Sequence, residues 1–224
     1  MFFEKRNTFF MRTQAQKTRA RSHRDPRIGF FNALAARWER EKPSAASQAA
    51  RLRRHAARLA LRPGQAVLEV GCGTGKATAW LAKQVAPARI TAVDFAGEML
   101  ARARAKGIPA DFLRRDVCRD DLGARRYDLI LCLHSFPHFR NPAAALRRFA
   151  RALKTEGRLV IMHFCGSAHL NEFHARVKGP VHADRLPVGA EWPPLLERAG
   201  LALTQSTDRA DLFFLEAVRA PRRA

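Results

Sequence analysis

Residues 131–139 read LCLHSFPHF, an apolar run that closes on two histidines four apart, His134 and His138, around a Phe-Pro pair. An imidazole titrates near neutral pH, so either ring can orient a substrate or remove its proton. Related chemistry lies downstream: His163 and Cys165 close another apolar run, and His169, Asn171, His174, His182 and Asp184 crowd into 165–187. His134, His138, His163 and Cys165 also have the chemistry of zinc ligands. No HExxH or compact ligand pair accompanies them, and Pro137 interrupts the helix that would align the first two, so no metal is expected. A second chemistry stands upstream, in VLEVGCGTGKAT (67–78), where glycines at 71, 73 and 75 let the backbone turn sharply and pass close beneath a ligand. Lys76 stands where a dinucleotide fingerprint needs glycine, and Ala77 where a P-loop needs Ser or Thr, so the loop is not built for phosphates. Its partners are carboxylates: Glu69 two residues before the first glycine, then Asp94 and Asp116. Carboxylates without a phosphate suit a nucleoside that carries positive charge.

The elements that must hold these groups follow from hydrophobic spacing. Short apolar runs at 65–70, 89–94, 110–116, 127–133 and 158–164 read as strands. Helical stretches at 76–86, 97–107 and 141–157 fill three of the four junctions, the last with Pro near its start and Gly at its end. Strands alternating with helices imply right-handed crossovers and a parallel sheet. After a helix at 191–200, runs at 201–208 and 211–219 are joined by Arg209-Ala210 alone, which forces them antiparallel. Each carboxylate and each leading histidine then stands at or near a strand end, where open parallel sheets bind ligands. Ahead of the sheet, 27–42 places Phe30, Phe31, Leu34 and Trp38 on one helical stripe, and Ser44 can cap a second helix running to Leu61.

The chain is strongly basic, with a formal charge of +21 over 224 residues. Residues 1–62 carry 16 Lys/Arg against 4 Asp/Glu, and residues 63–224 carry 25 against 16. A basic arm can grip nucleic acid or anionic lipid. Arg also outnumbers Lys 33 to 8, as GC-rich coding would produce. Residues 1–26 are aperiodic and lack the apolar stretch of a secretory signal, so a disordered tail is expected there. No apolar run approaches the length of a membrane span. The four cysteines (Cys72, Cys118, Cys132, Cys165) are scattered without a CxxC pair, which fits a reducing cytoplasm.

The succession VLEVGCGTG, AVD, RRDV, YDLILCLHS and RALKTEGRLVI resembles that of class I S-adenosylmethionine-dependent methyltransferases, over residues 28–219. Within them it looks most like the small-molecule and quinone-type branch. The resemblance implies an α/β, Rossmann-like, doubly wound seven-stranded sheet, mainly parallel with a C-terminal antiparallel hairpin, which agrees with the strand count. It implies S-adenosyl-L-methionine as cofactor and S-adenosyl-L-homocysteine as product. Glu69, Gly71, Cys72, Gly73 and Gly75 would meet the methionine end, Asp94 the ribose, Phe95 and Met99 the adenine faces. Asp116 and Val117 would meet the adenine amine and ring, and Leu133 and His134 would sit beside the sulfonium. Residues 63–224 would form the cofactor-binding domain, with 27–62 as helices covering the site. The expected acceptor is a small molecule, held by Phe31, Trp38, Phe136, His163, Asn171 and His174, with His134 first and His138 second as catalytic bases. An RNA methyltransferase using the basic N-terminal region is the alternative, although no NPPY-like tetrapeptide or Pro-Cys motif supports it. A cofactor-binding interaction module without catalysis is the third reading, and the intact glycines and Asp94 speak against it.

Overall fold

The computed structural model describes residues 25–221. The tail expected at 1–26 thus lies outside the described residues except for Asp25 and Pro26, which begin a helix. Helix α1, Pro26–Glu41, starts with Asp25 accepting from the Arg27 amide at 3.0 Å and with proline at the first helical position. Ser44 caps α2, Ala45–Arg54, through its hydroxyl oxygen. The single helix expected to reach Leu61 breaks at His55; a short α3, Ala56–Leu59, stops at Ala60, whose φ is +38°. The break lets Leu52 and Leu59 both bury completely against one face of the sheet.

The sheet contains β1 Val67–Val70, β2 Ile90–Asp94, β3 Ala110–Arg114, β4 Tyr127–Leu133, β5 Leu153–His163, β6 Leu201–Arg209 and β7 Leu212–Arg219. Their order is β3-β2-β1-β4-β5-β7-β6. The first five run parallel, and β7 inserts antiparallel between β5 and β6. Flanking the sheet are α4 Thr78–Val85, α5 Gly97–Arg104, α6 Pro142–Ala152, α7 Ser167–Arg176 and α8 Trp192–Glu197. Leu68, Val70, Ile130, Ile161 and Phe213 bury one face under Phe149, Trp192 and Leu196. Val67, Leu129, Leu131, Val160 and Phe214 bury the other under Leu52, Trp80, Leu81 and Leu100. Strands covered on both faces read as continuous apolar runs, which is what makes them recognisable.

One boundary differs from expectation. The helix predicted over 141–157 ends at Ala152, and residues 153–157 already belong to β5. Two of its last carbonyls, those of Arg151 and Ala152, accept from the amides of Arg125 and Arg126 at 2.9 and 2.7 Å. Leu153 then pairs with Tyr127 and is fully buried. Gly157 is therefore no helix stop: a β-carbon there would sit 2.7 Å from the Tyr127 carbonyl oxygen. It permits a close approach of backbones instead.

Candidate active site

The chain order of the sheet reverses between β1 and β4, and in open parallel sheets such a switch point opens a crevice beyond the strand ends. The glycine loop leaves β1 there. The amides of Gly71 and Cys72 both donate to the Val93 carbonyl of β2, at 2.8 and 3.1 Å. Gly71, at φ +71°, passes so near the loop after β4 that a β-carbon would lie 2.4 Å from that of Ser135. Ser135 ties the two loops together by donating to the Val70 carbonyl at 2.7 Å. At the end of β2 the Asp94 carboxylate accepts from Gly73 N at 2.9 Å and Ala96 N at 2.8 Å. Burial pushes this carboxyl up, and those backbone donors work against the rise.

Glu69 lies deeper, 2% exposed, and accepts from the Thr78 hydroxyl at 2.5 Å. Burial, reinforced by the charge of Asp94, pushes it up to about 8 against the Thr78 hydrogen bond. Cys72 is likewise buried, and its thiol is raised well above the ordinary value, which makes it a poor nucleophile. After β3, Asp116 accepts from the Cys118 amide and so shapes its own turn.

Helix α1 lies across the cleft. Phe31 packs among Trp38, Phe95 and His138, with ring centres 6.2, 5.8 and 5.0 Å away. The Trp38 indole nitrogen comes within 3.9 Å of where a β-carbon on Gly73 would be. The far end of α1 is held by Lys76, the residue that spoils the phosphate fingerprints. Its ammonium donates to the carbonyls of Trp38, Lys42 and Glu39 at 2.9, 3.2 and 3.5 Å, at a helix end where the dipole favours a cation; Trp38 accepts from the Lys42 amide as well. Lys106 adds a bridge to Glu39 at 2.7 Å.

On the far side of the cleft, His134 adopts φ +58°, a left-handed conformation uncommon outside glycine and asparagine. Solvent reaches its ring through the cleft that it lines, while dense protein on the other sides, with Arg51 and His138 adding to the effect, holds the imidazole down to about 4. Behind it His163 is 1% exposed, and neither ring nitrogen has a hydrogen-bond partner among the described residues. Burial, then the neighbouring His134, holds it well below the ordinary histidine value. His138 lies on the turn Phe136–His138, and its Nδ1 meets the Asp184 carboxylate at 2.7 Å.

The resulting cleft encloses about 710 Å³, its open mouth included, and Phe31, Trp38, Gly71, Gly73, Asp94, Phe95, Met99, Asp116, Val117, His134 and His138 line it. Of the other expected site residues, Glu69, Cys72, Gly75, Leu133, Phe136, His163 and His174 lie behind that lining. Asn171 is engaged elsewhere: its amide donates to and accepts from the Leu186 backbone, at 3.0 and 2.7 Å. Ser135, Phe139, Arg115 and Cys118 line the cleft without having been singled out. Their signal was position alone, since all follow directly on the ends of β3 and β4.

A sequence profile described as a methyltransferase domain matches residues 67–157. The ubiquinone biosynthesis O-methyltransferase of Xanthomonas euvesicatoria pv. vesicatoria is 32% identical over 193 residues, 77% of this chain and 79% of that protein. The chain belongs to the class I S-adenosylmethionine-dependent methyltransferases. The biotin biosynthesis bifunctional protein BioCD of Bordetella avium is 34% identical over 76% of this chain. The chain spans 36% of that protein's length, and 65% and 57% of two further ubiquinone biosynthesis O-methyltransferases, from Xanthomonas campestris and Xanthomonas oryzae. Among solved structures, a Haloferax volcanii methyltransferase in complex with the Trm112 methyltransferase activator superposes with a TM-score of 0.69 at 18% identity. It covers 85% of this chain and 98% of its own. That likeness shows the methyltransferase fold alone. S-adenosylmethionine is the cofactor of this family, and the site fits it. Gly71 and Gly73 leave a groove free of side chains, and Asp94 sits at the strand end with lone pairs to spare. Phe95, Met99 and Val117 offer apolar surface to a base.

Proposed function

We propose that this protein methylates a hydroxyl group on a small, mostly apolar acceptor. The observation that carries the reading is the composition of the cleft wall formed by α1 and the loop after β4. There Phe31, Trp38 and Phe139 supply rings, and His134 and His138 supply the polar atoms. Such a wall suits a compact ring-bearing molecule, and the two cations that also line the cleft, Arg115 and Arg140, are what an RNA acceptor would use instead. The names of the O-methyltransferase relatives support an oxygen acceptor.

In this reading Asp94 holds the ribose, Phe95 and Met99 flank the adenine, and Asp116 with Val117 meets its edge. The glycine loop and Glu69 receive the methionine end. S-adenosylmethionine supplies an activated methyl group on a sulfonium. The chain supplies alignment, which is worth several kcal/mol in a displacement that needs three atoms in line. His134, neutral at pH 7, gives or accepts a hydrogen bond that orients the acceptor. Helix α1 acts as the cover that excludes water.

The test is transfer of radiolabel from S-adenosylmethionine into a cell extract separated into small-molecule, RNA and protein fractions. Asp94→Ala runs beside it as the blank. Losing two charge-assisted backbone bonds and the ribose site should weaken cofactor binding by about 100-fold or more. Label in the small-molecule fraction supports the reading. Label in RNA overturns it and makes the basic N-terminal region part of the substrate site.

A further inference from the structure

His134 and His138 both face the cleft, yet their surroundings differ in kind. No carboxylate is within hydrogen-bond reach of His134 among the described residues, and its ring contacts are His163 and Phe164. His138 is held from behind. Its Nδ1 lies 2.7 Å from Asp184 Oδ2, and Phe31 and His174 pack against its ring at 5.0 and 5.1 Å between centres. The Asp184 side chain is wholly buried. It is also gripped by Arg27 of the cover helix, whose Nε donates to Oδ1 at 2.9 Å and whose Nη2 donates to the same oxygen at 2.5 Å. The remaining nitrogen of that guanidinium reaches Asp25 at 3.2 Å, so Arg27 bridges two carboxylates. Burial pushes Asp184 up, but the hydrogen bonds from His138 and Arg27 outweigh it and leave the carboxyl below its ordinary range. It is an anion at neutral pH.

We infer that Asp184 is a positioning residue that fixes the His138 tautomer, so that His138, rather than His134, removes the acceptor's proton. The inference rests on the functional reading above for the identity of the reaction, but not for the geometry. An anionic Asp184 can only accept, so in the neutral ring Nδ1 of His138 carries the proton and Nε2 keeps its lone pair. As the acceptor oxygen forms its bond to the methyl carbon, the carbon–sulfur bond breaks and sulfur keeps the electron pair. The hydroxyl proton passes to Nε2. The imidazolium that results is balanced by Asp184, the arrangement that a base needs when a third group orients it. Arg27 gives the pair a second property: one of the two ties that hold the carboxylate comes from the cover, so the base is fully aligned only when α1 lies across the cleft.

The test begins with the wild-type full chain and needs no acceptor. Nitrogen-15 NMR of the histidine rings, with His138 assigned through His138→Gln, reads which nitrogen carries the proton. The spectrum is read at a pH where the ring is neutral, and the expected result there is a protonated Nδ1 and an unprotonated Nε2. A protonated Nε2 overturns the inference outright. Asp184→Asn should then lose the single tautomer and lower kcat by about 100-fold or more while KM moves little. Arg27→Gln, which loosens the cover but leaves the carboxylate, should keep the tautomer. If Asp184→Asn keeps both tautomer and kcat, the residue is merely structural and the proposal fails. If no small molecule is methylated by the wild type, the functional reading falls, and the ring spectrum still decides this one.

Discussion

At the scale of single residues the site is a set of displaced ionisations. Glu69 has the largest lever on stability. Its carboxyl loses its proton near 4.5 when solvated and at about 8 when folded, because burial disfavours the anion. The folded state therefore holds a proton that the unfolded chain has released. Its contribution is complete below about pH 4.5 and is lost as pH rises through 8, at up to about 1.4 kcal/mol per pH unit. Melting temperatures between pH 6 and 9 should fall by several degrees more in the wild type than in Glu69→Gln, whose side chain cannot ionise. Equal losses in both would remove Glu69 as the cause. His134 shows the opposite trade, in backbone rather than charge. A non-glycine residue in the left-handed region costs about 1 kcal/mol, and His134→Gly should recover part of that as a Tm higher by a few degrees. The same substitution should slow methyl transfer while sparing cofactor binding measured by calorimetry. A variant that transfers at the wild-type rate would leave the ring without a role in the reaction.

At the scale of elements, two contacts decide what the cleft is like. Lys76 holds the end of α1 with one ammonium and three carbonyls, at some cost in desolvation that lowers its proton affinity. Lys76→Met keeps the length and apolar stem but removes the ammonium from all three carbonyls, leaving Trp38 only its bond from the Lys42 amide. Amide exchange over the protected part of Pro26–Glu41 should quicken, and cofactor affinity should fall by roughly 5- to 30-fold, as 1–2 kcal/mol implies. Unchanged exchange would mean that Phe31 and Trp38 anchor the helix unaided. Gly157 is the second contact. Gly157→Ala drives a methyl group into the Tyr127 carbonyl and the Lys154 backbone, which can move only with β4 and β5. A loss of about 1–3 kcal/mol, or several degrees of Tm, is expected. Neither role is written in the local sequence. Lys76 reads only as a failed phosphate motif and Gly157 as a helix terminator, because their partners are 34 or more residues distant in one case and across a strand pair in the other. Leu153 is recruited into β5 by that pairing against a helical pattern that continues through it.

At the scale of the whole molecule, the seven strands and the C-terminal hairpin were readable because strands covered on both faces must be continuous apolar runs, while their order in the sheet is carried by no local pattern. The glycines and strand-end carboxylates were readable too, since parallel topology sends every strand's end to one edge. The pairing of His138 with Asp184 was not, because a 46-residue separation through a loop carries no periodic signal. Nor could spacing show that Asn171 would be spent on fastening Leu186. The cover has a last consequence, which concerns time rather than structure. In the proposed reading α1 covers the cleft on the way out as well as on the way in, so release of the spent thioether nucleoside waits for Trp38 to lift from Gly73. The first turnover should then outrun those that follow. Rapid-quench measurements should show a burst close to one methyl group per active site, and the burst should shrink in Lys76→Met, where the exit opens more readily.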